Sequence, residues 1–162
     1  MQKIAINLWF DNQAEQAANF YTSIFEDSKM GRITRYGKAG YEYHGESEGM
    51  VMTVQFQIEG QDFVALNGGL HFNFNESISL IVNCDSQEEV DNYWEKLSEG
   101  GDPNALQCGW LKDKYGLSWQ IVPTALIKMI NDPDQDKVER TLTAMYPMKK
   151  LDIKTLKQAY EG

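Results

Sequence analysis

The chain has 162 residues, 42% of them hydrophobic and 12% aromatic, which suits one globular domain of ordinary size and excludes wholesale disorder. Its formal net charge of −9, with no long basic run to offset it, argues against nucleic acid and anionic membrane surfaces as partners. No stretch approaches the ~18 consecutive apolar residues of a membrane helix, the start shows no signal-peptide pattern, and Cys84 and Cys108 lack metal or disulfide spacing, so a reduced, cytoplasmic protein is expected.

Residues 3–10, KIAINLWF, alternate as a strand, with Ile4, Ile6, Leu8 and Phe10 on one face and Ala5, Asn7 and Trp9 on the other. A helix is expected next, capped by Asp11 or Asn12, with Ala14, Ala17, Ala18, Tyr21 and Phe25 at helical spacing. GRITRYG is a short strand, and the Gly- and Glu-rich segment 38–49 is a loop long enough to act as a lid. Residues 50–69 predict a hairpin turning at Glu59-Gly60. ESISLIVNC is another strand. DSQEEVDNYWEKLSEGG is a helix whose Ser86 and Glu89 have capping-box spacing and which ends at a double glycine. QCGWLKDK and LSWQIVP form a final strand pair, followed by three helical segments after Pro123. Phe20-Tyr21 set on Tyr93-Trp94, and Gly60 set on Gly116, reveal a weak internal repeat of a strand–helix–strands unit.

The segments LWFDNQAEQAANFYTSIF, FVALNGG, FNFNESISLIVNC, EEVDNYWEKLSEGG and CGWLKDKYGLSWQIVP, with the tail MKKLDIKTLKQAY, resemble the PhnB-like branch of the vicinal-oxygen-chelate superfamily. That superfamily includes glyoxalase I, extradiol dioxygenases and bleomycin-resistance proteins, and the branch is often labelled 3-demethylubiquinone-9 3-methyltransferase. The resemblance implies an α+β fold of paired βαβββ modules forming a curved mixed sheet around a cavity, with extra C-terminal helices. One domain, 1–162, would comprise module one (about 1–70), module two (about 71–123) and a helical extension (about 124–162). The crowded segment from Gly101 to Cys108 implies a short or missing edge strand in module two.

Metal enzymes of the superfamily hold a divalent ion with four inward-facing His, Glu or Gln residues. The matching positions here are Ala5, Val64, Ser77 and Gln120, of which only Gln120 is a residue type the superfamily uses. No family-type metal and no cofactor are therefore expected, and no catalytic residue is assigned. His44 and His71 lie in loops, and no glycine-rich loop in a parallel α/β pattern supports S-adenosylmethionine binding. The expected ligand-binding residues are Asn7, Trp9, Gln55, Ser77, Ser79 and Gln120, a neutral hydrogen-bonding and aromatic lining for a small polar or ring-bearing molecule. Two functions stay open: a binding or sequestering protein, and a metal-free or atypically metallated enzyme of isomerase, lyase or dioxygenase type. The resemblance also implies a homodimer.

Overall fold

The computed structural model describes residues 2–162. The chain divides into two compact units, Met1–Asn73 and Phe74–Gly162. The C-terminal helices belong to the second.

In the N-terminal unit, β1 (Ile6–Phe10) leads into α1 (Ala14–Ile24), β2 (Ser28–Arg35), a short α2 (Tyr41–His44), β3 (Val51–Ile58) and β4 (Gln61–Asn67). The four strands form one mixed sheet in the order β1-β4-β3-β2, with β1 parallel to β4 and the other neighbours antiparallel. Burying Ala14, Ala17, Ala18, Tyr21 and Ile24 seats α1 on one face, against Leu8, Phe10, Val54, Phe56, Phe63 and Ala65. Phe56 stacks between Tyr21 and Phe63, with ring centroids 6.3 and 5.1 Å away. The β3–β4 turn has positive φ at both Glu59 (48°) and Gly60 (75°), the primed geometry that matches strand twist.

Three expectations for this unit are corrected. β1 starts at Ile6, and Ile4 is 79% exposed, because the parallel partner β4 supplies ladder positions only from Phe63 onward. Neither Asp11 nor Asn12 caps α1. The Ala14 N–H is satisfied instead by Asn67 Oδ1 at 2.8 Å, from the end of β4. The segment 38–49 is not all loop, since it contains α2.

The C-terminal unit contains β5 (Ser79–Cys84), α3 (Gln87–Ser98), a 3-10 turn (Pro103–Ala105), β6 (Trp110–Lys112), β7 (Ser118–Pro123), α4 (Thr124–Ile130), α5 (Gln135–Met145) and α6 (Ile153–Glu161). Its three strands run in the order β5-β7-β6, with β5 parallel to β7. The parallel pairing of first and last strands thus recurs in both units, while the 3-10 turn stands where a fourth strand of the second would be. Both sheets are open, so there is no closed barrel. Ser86 Oγ caps α3 by accepting from the Glu89 N–H at 3.2 Å, and Glu89 Oε2 returns to the Asp85 N–H at 2.6 Å. The double glycine has two purposes: Gly100 takes φ 72°, and a Cβ on Gly101 would lie 2.0 Å from the Lys112 carbonyl oxygen.

The block CGWLKDKYGLSWQIVP is organised by Asp113. Its buried carboxylate accepts from the Tyr115 and Leu117 N–H groups (2.8 and 3.1 Å) through Oδ1 and from Trp119 Nε1 (2.9 Å) through Oδ2. Cys108 and Gly109 donate their N–H groups to the carbonyls of Met148 and Lys149, each at 2.8 Å, which tethers the helical segment. Leu126, Met129, Leu151 and Leu156 form the core of those helices. Burial, reinforced by the charges of Glu89 and Asp85, pushes the Cys84 thiol up to about 12.

Candidate functional site

With α1 on one face of the N-terminal sheet, the strand registers place a defined set of side chains on the other. Lys29, Gln57 and Asp62 form one row across β2, β3 and β4. Gln55, Val64 and Asn7 form the next, and Thr34, Thr53, Leu66 and Trp9 the one after. A pocket of about 220 Å3 opens here, lined among others by Ala5, Lys29, Gly31, Gln55, Asp62 and Val64. The β2–β3 register shifts between Met30 and Ile33, beside the pocket. Gly31 permits this close approach, since a Cβ there would lie 2.9 Å from the Gln55 carbonyl oxygen.

The polar groups of this pocket are unequal. Asp62 is committed: Oδ2 accepts from the Gln2 N–H at 2.9 Å and Oδ1 from Gln57 Nε2 at 2.5 Å. The Gln2 bond, then the Gln57 bond, holds its carboxyl below the usual range. The Gln55 amide and the Lys29 ammonium have no hydrogen-bond or ion-pair partner among the described residues. Ala5 and Val64 supply an apolar floor.

Trp9 is fixed by its own unit. Its Nε1 donates to the Gly69 carbonyl at 2.8 Å, and its ring meets Phe72 edge-on at 4.9 Å. A Cβ on Gly68 would fall 2.2 Å from the indole, which explains the glycine pair of FVALNGG. Nearby, the Tyr36 hydroxyl donates to the Asn67 carbonyl at 2.5 Å, and burial, with Glu46 second, raises its pKa. His44 stacks on Tyr36 at 4.5 Å, and its Nδ1 accepts from the Glu46 N–H at 2.9 Å.

On the C-terminal sheet, the face opposite Trp119 and Ile121 carries Gln120, Ser79 and Ser118, with Ile81 and Trp110 opposite Gln120 in the ladder. Gln120 Nε2 donates to Ser79 Oγ at 2.9 Å. Ser118, 1% exposed, has an Oγ without a hydrogen-bond partner. Lys112 is ion-paired to Glu76.

The structure therefore brings Asn7, Trp9 and Gln55 onto one sheet face, and Ser79 and Gln120 onto another. Ser77 is the exception. It lies in the turn before β5, bonded to Asn75, because β5 begins only at Ser79. Sequence reasoning missed Lys29, Gly31 and Asp62. The glycine of GRITRYG was the available signal, but the register shift it accommodates decides which side chains share a face.

Ala5 and Val64 line the pocket at the positions the resemblance assigns to ligands, and neither side chain has a donor atom. Among the described residues, no three His, Cys, Asp or Glu side chains are grouped so as to hold a metal. The donor set does not fit the superfamily's metal.

Residues 2–122 match the sequence model of the family described as 3-demethylubiquinone-9 3-methyltransferase. The chain belongs to this PhnB-like family. The PhnB protein of Bacillus cereus is 36% identical over 76% of this chain and 100% of its own, with TM-score 0.62. Protein PA1353 of Pseudomonas aeruginosa is 16% identical over 76% of this chain and 98% of its own, TM-score 0.57. The fosfomycin resistance protein FosX of Listeria monocytogenes is 16% identical over 81% of this chain and 98% of its own, TM-score 0.51. The last two show the shared fold alone. No functionally curated protein matches. The PhnB-like match ends at Val122, before α4, and does not reach the tail MKKLDIKTLKQAY. No helix among the described residues is long and apolar enough to cross a membrane.

Proposed function

We propose that this PhnB-like chain binds a small organic molecule on the open face of its N-terminal sheet, without a family-type metal. The observation that carries this reading is the pocket of about 220 Å3 whose floor is Ala5 and Val64 and whose Gln55 amide is uncommitted. That volume lies below the ~300 Å3 at which drug-sized sites begin, so the occupant is metabolite-sized. Asn7 stands beside Val64 as a further hydrogen-bonding group.

The methyltransferase description of the family draws no support from the topology. The sheets are mixed, and neither is the open parallel array that cradles a nucleotide-type cofactor at its switch point. Sequestration without turnover is the reading we adopt.

A thermal-shift screen of small metabolites tests it. A compound at ~100 times its dissociation constant adds ~2.7 kcal/mol, which is roughly 5–10 °C for a chain of this length. Gln55→Ala and the pocket-filling Val64→Phe should remove the shift. A shift unchanged in both N-terminal variants would refute the site. We infer a homodimer as well, supported by the exposed Tyr43, Leu70 and Phe72 of the N-terminal unit. A monomeric mass by light scattering at micromolar concentration would refute that.

A further inference from the structure

Resting on the pocket reading above, we propose that the occupant is a small organic anion, its negative group held by Lys29 and the Gln55 amide and its apolar body lying on Ala5 and Val64. The polar groups of the site divide into those bonded within the chain and two exposed ones, Lys29 and Gln55, whose side chains make no hydrogen bond among the described residues and are open to a ligand. Both Asp62 oxygens accept hydrogen bonds from within the chain, one from the Gln2 N–H and one from Gln57 Nε2. Gln57 is spent on that bond. Lys29 sits opposite Gln57 in the ladder, near enough for its charge to help lower the Asp62 carboxyl, but among the described residues its ammonium makes no ion pair. Gln55, on the same strand as Gln57 and the same face, is likewise unpartnered.

A donor-only cation and an amide beside an apolar floor match a carboxylate or similar oxyanion on a hydrocarbon or aromatic body. An ammonium ligand would meet Lys29 as a like charge, and its natural partner Asp62 is turned to Gln2 and Gln57. Lys29 pairs with Gln57 in regular register, and the register shift between Met30 and Ile33 follows directly, opposite Gln55. Gly31 makes it sterically admissible, with its Cα hydrogen where a Cβ would press on the Gln55 carbonyl. The chain's net charge of −9 makes a local cation the more necessary for holding an anion.

Matched probes separate the two levels of this proposal. The full chain is titrated with benzoate and benzamide, cyclohexanecarboxylate and cyclohexanecarboxamide, and benzylamine, while the backbone amide resonances of Ala5, Gln55 and Val64 are followed by NMR. Each carboxylate should shift those resonances and bind at least about fivefold more tightly than its carboxamide. The preference should shrink at high salt and vanish in Lys29→Met, whose side chain has similar bulk without the charge. Carboxamides or benzylamine binding as well as the carboxylates, or a preference that survives Lys29→Met, would overturn the anion assignment and leave the pocket standing. If no probe moves the Ala5, Gln55 and Val64 amides, the pocket itself is refuted.

Discussion

Gly68→Ala gives the sharpest check on how the N-terminal site is built. Gly68 does not occupy the left-handed region, so alanine suits its backbone and any cost is steric. The new Cβ would sit 2.2 Å from Trp9 Cζ2 and 2.4 Å from Cη2, well inside contact distance. The loop is pinned by the Gly68 N–H to the Phe10 carbonyl (2.9 Å) and the Gly69 N–H to the Asp11 carbonyl (3.2 Å), so the indole must yield. Displacing it breaks the Nε1 bond to Gly69, worth about 1 kcal/mol net, and the edge contact with Phe72, about 0.5–1.5 kcal/mol. Some half-buried indole surface is lost too. Against this, alanine restricts the unfolded chain and returns about 0.4–1 kcal/mol. The net expectation is about 1–3 kcal/mol of destabilisation, or roughly 3–10 °C in melting temperature.

The decisive measurement is a double-mutant cycle by thermal unfolding. In a Trp9→Leu background the obstacle is gone, so Gly68→Ala should be neutral or slightly stabilising there. An equal cost in both backgrounds would show that Trp9 does not pack on Gly68, and the account of the FVALNGG motif would fail.

Gly31→Ala should cost about 1–2 kcal/mol through its 2.9 Å approach to the Gln55 carbonyl and weaken probe binding more than fivefold, measured by the same NMR titration. Asp113→Ala should destabilise by about 3–5 kcal/mol in urea unfolding, because three donors, including the indole of Trp119 at 2% exposure, lose their acceptor. Iodoacetamide at pH 8 should label Cys84 only in urea. The thiol's folded pKa of about 12 exceeds its ordinary 9.0, so the associated stability is present below pH 9 and lost as pH rises toward 12, a fall that Cys84→Ala should flatten. At the acid end, the Asp152 carboxyl is lowered by its bonds to Thr155 at the start of α6. Its contribution is present above its ordinary 3.8 and lost as pH falls through the depressed value, so α6 should lose protection in amide exchange there, less steeply in Asp152→Ala.

What could be read in advance follows the distance over which each feature is determined. The face of α1, the hairpin at Glu59-Gly60 and the Ser86 cap of α3 are set within a turn or two of chain, and the residue pattern carries them. The α1 cap comes from Asn67, 53 residues downstream of Ala14, and no local pattern announces it. The register shift after Met30 is set by two strands together, and the row of Lys29, Gln57 and Asp62 by the pairing of three, so no single segment announces either. Ser77 shows the opposite error: alternation extends formally to it, but the ladder with β7 begins only at Ser79.

The strongest family signature and the candidate chemistry also turn out to be different things. In CGWLKDKYGLSWQIVP, Cys108 and Gly109 hold the helical segment, Asp113 ties the turn to Trp119, and Gly116 takes φ 87°. Each residue type is dictated by folding, so a chain can share the block with an enzyme and share none of its chemistry. Gln120 faces away from the helix side, as do Ser118 and Trp110 of the same block, and it is bound to Ser79. Ala5 and Val64, where the resemblance would place metal ligands, line the pocket of the N-terminal sheet instead. Both are apolar, and the exposed Lys29 and Gln55 beside them make no side-chain hydrogen bond among the described residues.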